Sequence, residues 1–131
     1  MTTTTAATVV RGDELRDVET PGGNFGSGLA TPSRGAAEVS VIRQRQRPGG
    51  TNPPHTHDRE EVTVVLAGAV TVEVAGVPHP LGLGDAVIVP AGTPHRVENA
   101  GADAAEWLLV APAGVRFFHA TGEEGSPPWA R

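Results

Sequence analysis

Short runs of alternating apolar and polar residues, or of apolar residues alone, recur along most of this chain and are followed by glycine or proline. They span residues 36–46, 61–66, 69–74, 86–89, 95–98 and 106–110, and several of them start about ten residues apart. Alternation with a period of two is typical of strands that bury one face, and short strands with this spacing favour an antiparallel sandwich or barrel. The 17 glycines and 12 prolines among 131 residues supply the turns. We therefore predict an all-β domain.

The two ends of the chain are less regular. Residues 1–20 are polar and weakly patterned and predict a flexible N-terminal segment, so the single domain is expected to span residues 21–131. Residues 20–35, with five glycines and two prolines, predict a loop. Residues 115–121 are compatible with a turn or two of helix. Residues 122–131 predict irregular chain, packed on the outside of the domain or against a partner.

Charge and cysteine content exclude several classes of function. The net charge is −5, and the only regular basic pattern is Arg43, Arg45 and Arg47, which share one strand face and suit either a solvated sheet face or an anion contact at the barrel mouth. We therefore expect no nucleic-acid partner. Because cysteine is absent, disulfides, thiolate catalysis and iron–sulfur clusters are excluded. No run reaches membrane-spanning length and the start lacks a signal pattern, which predicts a cytoplasmic protein.

Three histidines and one glutamate form a candidate metal site. His55 and His57 lie two residues apart after a pair of prolines, so in a strand both imidazoles point to the same side. Glu61 follows four residues later, and His95 comes from a later strand. Imidazole and carboxylate ligands suit a divalent first-row metal with positions left open. Glu60 is the alternative carboxylate, but its odd interval from His57 places it on the opposite face.

The spacing of these residues resembles the two conserved motifs of the cupin superfamily. The first motif is matched at Gly49, His55, His57, Glu61 and Gly68. The second motif is matched at Gly84, Pro90, Gly92, His95 and Asn99. The resemblance covers residues 49–99 and implies a double-stranded β-helix, which is a small antiparallel barrel or jelly roll. It also implies that His55, His57, Glu61 and His95 are the ligands of one divalent metal per chain, either Fe, Mn, Ni, Cu or Zn, and that the protein forms a homodimer.

Period-two alternation predicts the cavity wall. Thr63 and Val65 are expected to point inward with Glu61, and Val97 with His95. The large apolar residues that could join them, unless they serve the core or a dimer contact, are Phe25, Trp107, Leu108, Phe117 and Phe118. No tyrosine is present, so no phenol acts as an acid or base.

Three further polar residues are less directly connected with this chemistry. His79 lies between two prolines and is expected on the surface. His119 is expected to face solvent or to lie near the pocket rim. Asn99 is expected to hydrogen-bond a turn.

The fold does not determine the reaction. The ligand set is similar to that of small single-domain cupins related to quercetin dioxygenase, which implies a metal-dependent oxygenase acting on a small molecule, with Glu61 as a possible general base. The alternatives are a redox-neutral isomerase, cyclase or lyase, and a non-catalytic metal-binding or ligand-binding module. Oxygen uptake separates the first two.

Overall fold

The computed structural model describes residues 6–130, which consist mainly of short β-strands. In chain order the strands are β1 (Val18–Thr20), β2 (Asn24–Ala30), β3 (Val39–Gln46), β4 (His55–His57), β5 (Glu61–Ala67), β6 (Val70–Val74), β7 (Val77–Leu81), β8 (Ala86–Val89), β9 (His95–Glu98), β10 (Ala105–Pro112), β11 (Phe117–His119) and β12 (Glu124–Gly125). Single 3-10 turns occupy Gly12–Glu14, Pro32–Arg34 and Pro128–Ala130. Within this range no helix is long and apolar enough to cross a membrane.

The strands form two six-stranded antiparallel sheets. One sheet has the order β1-β2-β3-β10-β5-β8, and the other has the order β12-β11-β4-β9-β6-β7. Strands that are distant in sequence are neighbours in both sheets, as in a jelly roll. The predicted all-β fold, a double-stranded β-helix, is therefore confirmed.

Several strands lie in regions where the sequence did not predict them, among them β1, β2 and β11. Strand β1 pairs Val18 with Gly26 of β2, so paired structure begins before residue 21. Strand β2 lies within the predicted loop 20–35, and its glycines had hidden the alternation. Strand β11 replaces the predicted helical turn, because Phe117 and Phe118 pair in extended conformation with His57 and Thr56.

One end of the barrel is an apolar core. Its buried members are Val65, Val70, Val72, Val97, Ala105 and Trp107. Along β5 the inward side chains change from Glu61 through Thr63 to Val65, so a single strand runs from a polar end to this core. The buried indole of Trp107 is satisfied because its Nε1 donates a hydrogen bond to Gln44 Oε1 at 2.8 Å.

A buried amide network ties the middle of the barrel to its turns. Gln46 Nε2 donates to Asn24 Oδ1 at 2.9 Å and to the carbonyl of Val97 at 3.0 Å. Asn99 Nδ2 donates to the carbonyls of Gln46 at 3.1 Å and of Asp103 at 2.9 Å. Asn99 therefore holds the turn that follows β9, as its position in the sequence predicted.

The three arginines of β3 lie among acidic neighbours. Arg43 and Arg45 both pair with Asp17, and Arg47 Nη1 lies 3.5 Å from Glu19 Oε2. Their positive charges are therefore balanced within the described residues. Acidic neighbours therefore offset the positive charge of this face, and Arg45 also borders the internal cavity.

Gly68 and Gly76 form a matched pair for testing how tightly the turns pack. Both have positive φ, at 69° and 81°, so alanine at either position costs about 1–2 kcal/mol of backbone strain. At Gly68 a Cβ would also lie 2.6 Å from the carbonyl oxygen of Ala104, whereas at Gly76 it would meet open space. We expect Gly68→Ala to lower the free energy of unfolding by about 1–3 kcal/mol more than Gly76→Ala, measured by urea denaturation. Equal losses would contradict the packing at Gly68.

Candidate metal centre

Two short strands and the start of a third bring four side chains together inside the barrel. His55 and His57 lie on β4, and the residue between them points the other way. His95 begins β9 and is the register partner of His55, with ring centroids 4.3 Å apart. Glu61 begins β5 and is 4% exposed. The four residues predicted as ligands therefore share one buried position.

The donor atoms of this group converge on a common point. One ring nitrogen from each of His55, His57 and His95 lies within 4.8 Å of the other two. Glu61 contacts two of these rings, with Oε2 at 2.8 Å from His57 Nε2 and Oε1 at 3.3 Å from His95 Nε2. Three imidazole nitrogens and one carboxylate at this separation match the ligand preference of divalent Fe, Mn, Ni, Cu or Zn.

These close approaches leave hydrogen-bonding groups unsatisfied. His57 Nε2, Glu61 Oε2 and His95 Nε2 are buried and have no hydrogen-bond partner with good geometry among the described residues. Each such buried group costs about 1–3 kcal/mol. Their close spacing without hydrogen bonds is the arrangement of several ligands around one cation. The residues therefore fit a divalent metal, which would satisfy all three atoms at once.

Backbone carbonyls orient two of the three imidazoles. His55 Nδ1 donates to the carbonyl of Pro53 at 3.0 Å, and His95 Nδ1 donates to the carbonyl of Thr93 at 2.9 Å. With the proton assigned to Nδ1 by these bonds, Nε2 of each ring keeps its lone pair for the centre. The prolines that precede β4 thus supply an orienting carbonyl.

The centre is tuned electrostatically for a cation. Burial, together with the His95 and His57 imidazoles, lowers the pKa of His55 to about 4, so this ring is neutral at pH 7. Burial raises the pKa of Glu61, but contacts with His57 and His95 outweigh it and lower that pKa to about 2. Burial lowers the pKa of His95, yet its contacts with Glu61 produce a net increase. The ionised Glu61 carboxylate beside the neutral His55 imidazole is ready to accept a positive ion.

A cavity of about 400 Å³ opens above the centre and reaches His55, Glu61 and His95. Of the predicted pocket residues, the structure places five around it, namely Phe25, Thr63, Val97, Trp107 and Phe117. Val65 does not line the cavity, because it lies one inward position beyond Thr63 and packs in the apolar core. Leu108 and Phe118 are also absent from its wall. Phe25 lies at the edge, where its ring faces the guanidinium carbon of Arg47 at 4.8 Å.

Sequence reasoning missed much of the remaining wall. The additional residues include Asn24, Gln44, Asn52, Leu109 and the tail residues 126–129. Gln44 and Leu109 lie on strands that were predicted, and their inward register would have revealed them. The tail carried no comparable signal. His119 lines the cavity rim next to Phe117, with ring centroids 5.0 Å apart, whereas His79 and Glu60 are exposed.

The model of the cupin domain family matches residues 42–111. This segment runs from within β3 to within β10 and contains all four predicted ligands. The chain belongs to the cupin family. Its three-histidine centre makes it a metal-binding cupin.

Three relatives show the range of proteins that this cupin is similar to. Protein SchB of Streptomyces halstedii is 35% identical over 92 residues, which are 70% of this chain and 59% of that protein. The polyketide cyclase RemF from Streptomyces resistomycificus is 25% identical, with a TM-score of 0.74 over 84% of this chain and 82% of RemF. An oxalate oxidase, solved with the substrate analogue glycolate, is 27% identical, with a TM-score of 0.66 over 73% of this chain and 55% of the oxidase.

Removing a ligand should empty the centre without unfolding the barrel. We expect His57→Ala and Glu61→Gln each to lower metal affinity at least about tenfold, because each deletes one donor from a buried set. Metal content by elemental analysis and affinity by competition with a chelator would measure the loss. The matched control is His79→Ala, which removes an exposed imidazole outside the centre. Full occupancy in both ligand variants would contradict the assignment.

Metal binding should release protons, and fewer of them as pH rises. The pKa of His95 is raised above its ordinary 6.5, so part of the metal-free protein carries a proton that the metal must displace. His55, with its pKa near 4, contributes almost none at neutral pH. Calorimetry in buffers of different ionisation enthalpy should show the apparent affinity increasing as the pH rises through and above 6.5, and levelling once the pH exceeds the raised pKa of His95. An affinity that does not change over this range would contradict the pairing of His95 with Glu61.

Proposed function

We propose that this cupin is a metal-dependent enzyme that cyclises an apolar, enolisable polyketone without net oxidation. The observation that carries the proposal is the cavity itself, which joins an aromatic and aliphatic wall to a centre of three histidines and one ionised carboxylate. Pockets of this size accept small organic molecules, and their few polar groups fix orientation. A substrate would use both parts of the cavity if a pair of its oxygens chelated at the centre. Its apolar remainder would then pack along Val97, Trp107 and Leu109.

The comparison with RemF supports this choice. RemF is described as a polyketide cyclase, and it aligns with most of both chains. The sequence alone favoured an oxygenase and kept a redox-neutral cyclase as an alternative. The apolar wall and this likeness together make the cyclase the better supported of the two.

Each part of the cavity has a task in such a reaction. A bound divalent metal supplies Lewis acidity, which makes a carbon between two carbonyls easier to deprotonate. The Glu61 carboxylate is ionised and lies beside the centre, so it can accept that proton. Gln44 is held through its Oε1 by Trp107, which leaves its amide nitrogen as a donor on the cavity wall. Apolar neighbours exclude water and favour a folded substrate.

The chemical balance requires no oxidant. A C–H bond next to a carbonyl breaks and its proton passes to Glu61. The carbon then forms a C–C bond to a second carbonyl of the same molecule, whose oxygen takes a proton. Loss of this hydroxyl with a neighbouring hydrogen releases one water and leaves a conjugated ring.

An oxygenase is the second candidate, and the likeness to oxalate oxidase is the observation that favours it. Three histidines and one glutamate also suit a redox-active metal with open positions. In that case a chelating substrate would consume dioxygen. A non-catalytic binding module would instead retain its ligand without turnover. The homodimer and the cytoplasmic location expected from the sequence stay predictions.

Turnover of a synthetic polyketone tests the proposal. Protein loaded separately with Zn, Fe, Mn, Ni or Cu would be mixed with nonane-2,4,6,8-tetraone and followed by mass spectrometry and an oxygen electrode. We expect a product that has lost one water, formed faster than without protein and without oxygen uptake. Glu61→Gln should reduce the rate at least about 100-fold per bound metal, because the proton acceptor is lost, and His79→Ala should retain it.

Two results would contradict the cyclase. Substrate-dependent oxygen uptake with the Fe, Mn, Ni or Cu form would favour the oxygenase. Tight retention of the unchanged tetraone with every metal would favour a binding module.

A further inference from the structure

The C-terminal tail forms one wall of the cavity, and it does so through Trp129. Residues 126–129 line the same cavity that reaches His55 and His95. The indole lies directly on strand β2. A Cβ built at Gly26 would lie 2.4 Å from Trp129 Cδ2, and one built at Gly28 would lie 2.7 Å from the Trp129 carbonyl oxygen. Real Cβ atoms do not approach other atoms this closely, so any other residue at these positions would displace the tail.

The backbone of β2 does not itself require these glycines. Neither Gly26 nor Gly28 has a positive φ, and both belong to a paired strand in which glycine is unfavourable. What both positions share is contact with the tail. The space that side chains at these two positions of β2 would occupy is therefore filled by Trp129, about 100 residues later in the chain.

The register of β2 places this contact on the inner face of the barrel. Gly26 is opposite Gln44, which lines the cavity and accepts the hydrogen bond from Trp107. Trp129 thus lies on the same side of the sheet as these two residues. A molecule held at the metal centre and longer than a few atoms would extend towards the indole.

We propose that Trp129 is a specificity-determining residue, whose indole packs against the distal part of the substrate and sets the length and flatness that the cavity accepts. This inference rests on the proposed function for its substrate class, a chelating and conjugated polyketone. Indole offers a large, flat apolar face at low cost in side-chain entropy, which suits a planar ligand. Pro127 and Pro128 stiffen the segment before it and reduce the entropy lost on docking.

Docking of the indole can be tested in the metal-free protein. With 5-fluorotryptophan incorporated, the two tryptophans give two fluorine resonances, and Trp129→Phe assigns them. We expect Gly26→Ala to move the chemical shift of the Trp129 resonance to that of a solvent-exposed fluorotryptophan. The Trp107 resonance should keep its chemical shift, which would show that the core is intact. Gly12→Ala is the matched control, because a Cβ at Gly12 meets nothing within 4 Å. An unchanged Trp129 resonance in Gly26→Ala would overturn the docking.

Selectivity can be tested by binding alone, with zinc-loaded protein and two β-diketones that share one chelating group. Acetylacetone carries only methyl groups beside its chelating oxygens, whereas dibenzoylmethane carries two flat rings. Calorimetry should show that Trp129→Ala lowers the affinity for dibenzoylmethane at least about tenfold and the affinity for acetylacetone less than about twofold. Trp129→Phe should bind both diketones nearly as well as the unchanged protein.

An equal loss for both diketones would overturn the proposal, since it would mean that Trp129 supports only the fold or the metal centre. No loss for either would overturn it too. The two proposals fail separately. If the tetraone is not cyclised but the selective loss is observed, the cyclase is wrong and Trp129 still determines what binds.

Discussion

The convergence of Glu61 with His57 and His95 is the contact on which the rest of this molecule depends. A buried carboxylate is costly unless it is compensated, and here two imidazoles lie within 3.3 Å of its oxygens. His57 Nε2, Glu61 Oε2 and His95 Nε2 have no hydrogen-bond partner with good geometry among the described residues, and a cation would satisfy them together. Every strand that meets at this point has to be held in register, because a shift of one residue would turn its ligand outward.

The barrel holds these strands in register by placing an apolar core at one end and the polar centre at the other. Along β5 the carboxylate, the hydroxyl of Thr63 and the isopropyl group of Val65 follow at intervals of two, so one strand connects the polar centre to the apolar core. The core and the amides of Gln46 and Asn99 fix the strands, while carbonyls before β4 and β9 fix the imidazoles. The apolar end thus holds the strands rigidly, and the polar end carries the ligand side chains, as a preorganised site requires.

The sequence contained enough information for most strands of residues 36–110 and for the four residues of the centre. His55 and His57 could be placed because a period of two is a local property, and the intervals to Glu61 and His95 match a family pattern. The wall was harder to predict. Val65 was wrongly expected at the cavity. Alternation predicts which face of a strand a side chain is on, but it does not predict how far along the barrel that side chain lies. Strand β2 and the tail were missed for a different reason, since the space above Gly26 is filled by a residue that no local pattern connects to it.

The contact between β2 and the tail also constrains how this cavity can change during evolution. A larger residue at position 26 and the indole at position 129 exclude each other, so neither site can be substituted freely while the other is retained. Loss of the indole would have to come first, which would leave a wider cavity with an uncovered glycine strand. Larger residues could then replace the glycines of β2, and their side chains would fill that space and change the shape of the cavity wall. Homologous barrels should therefore carry either a bulky tail or a bulky second strand, and the pair of positions should covary.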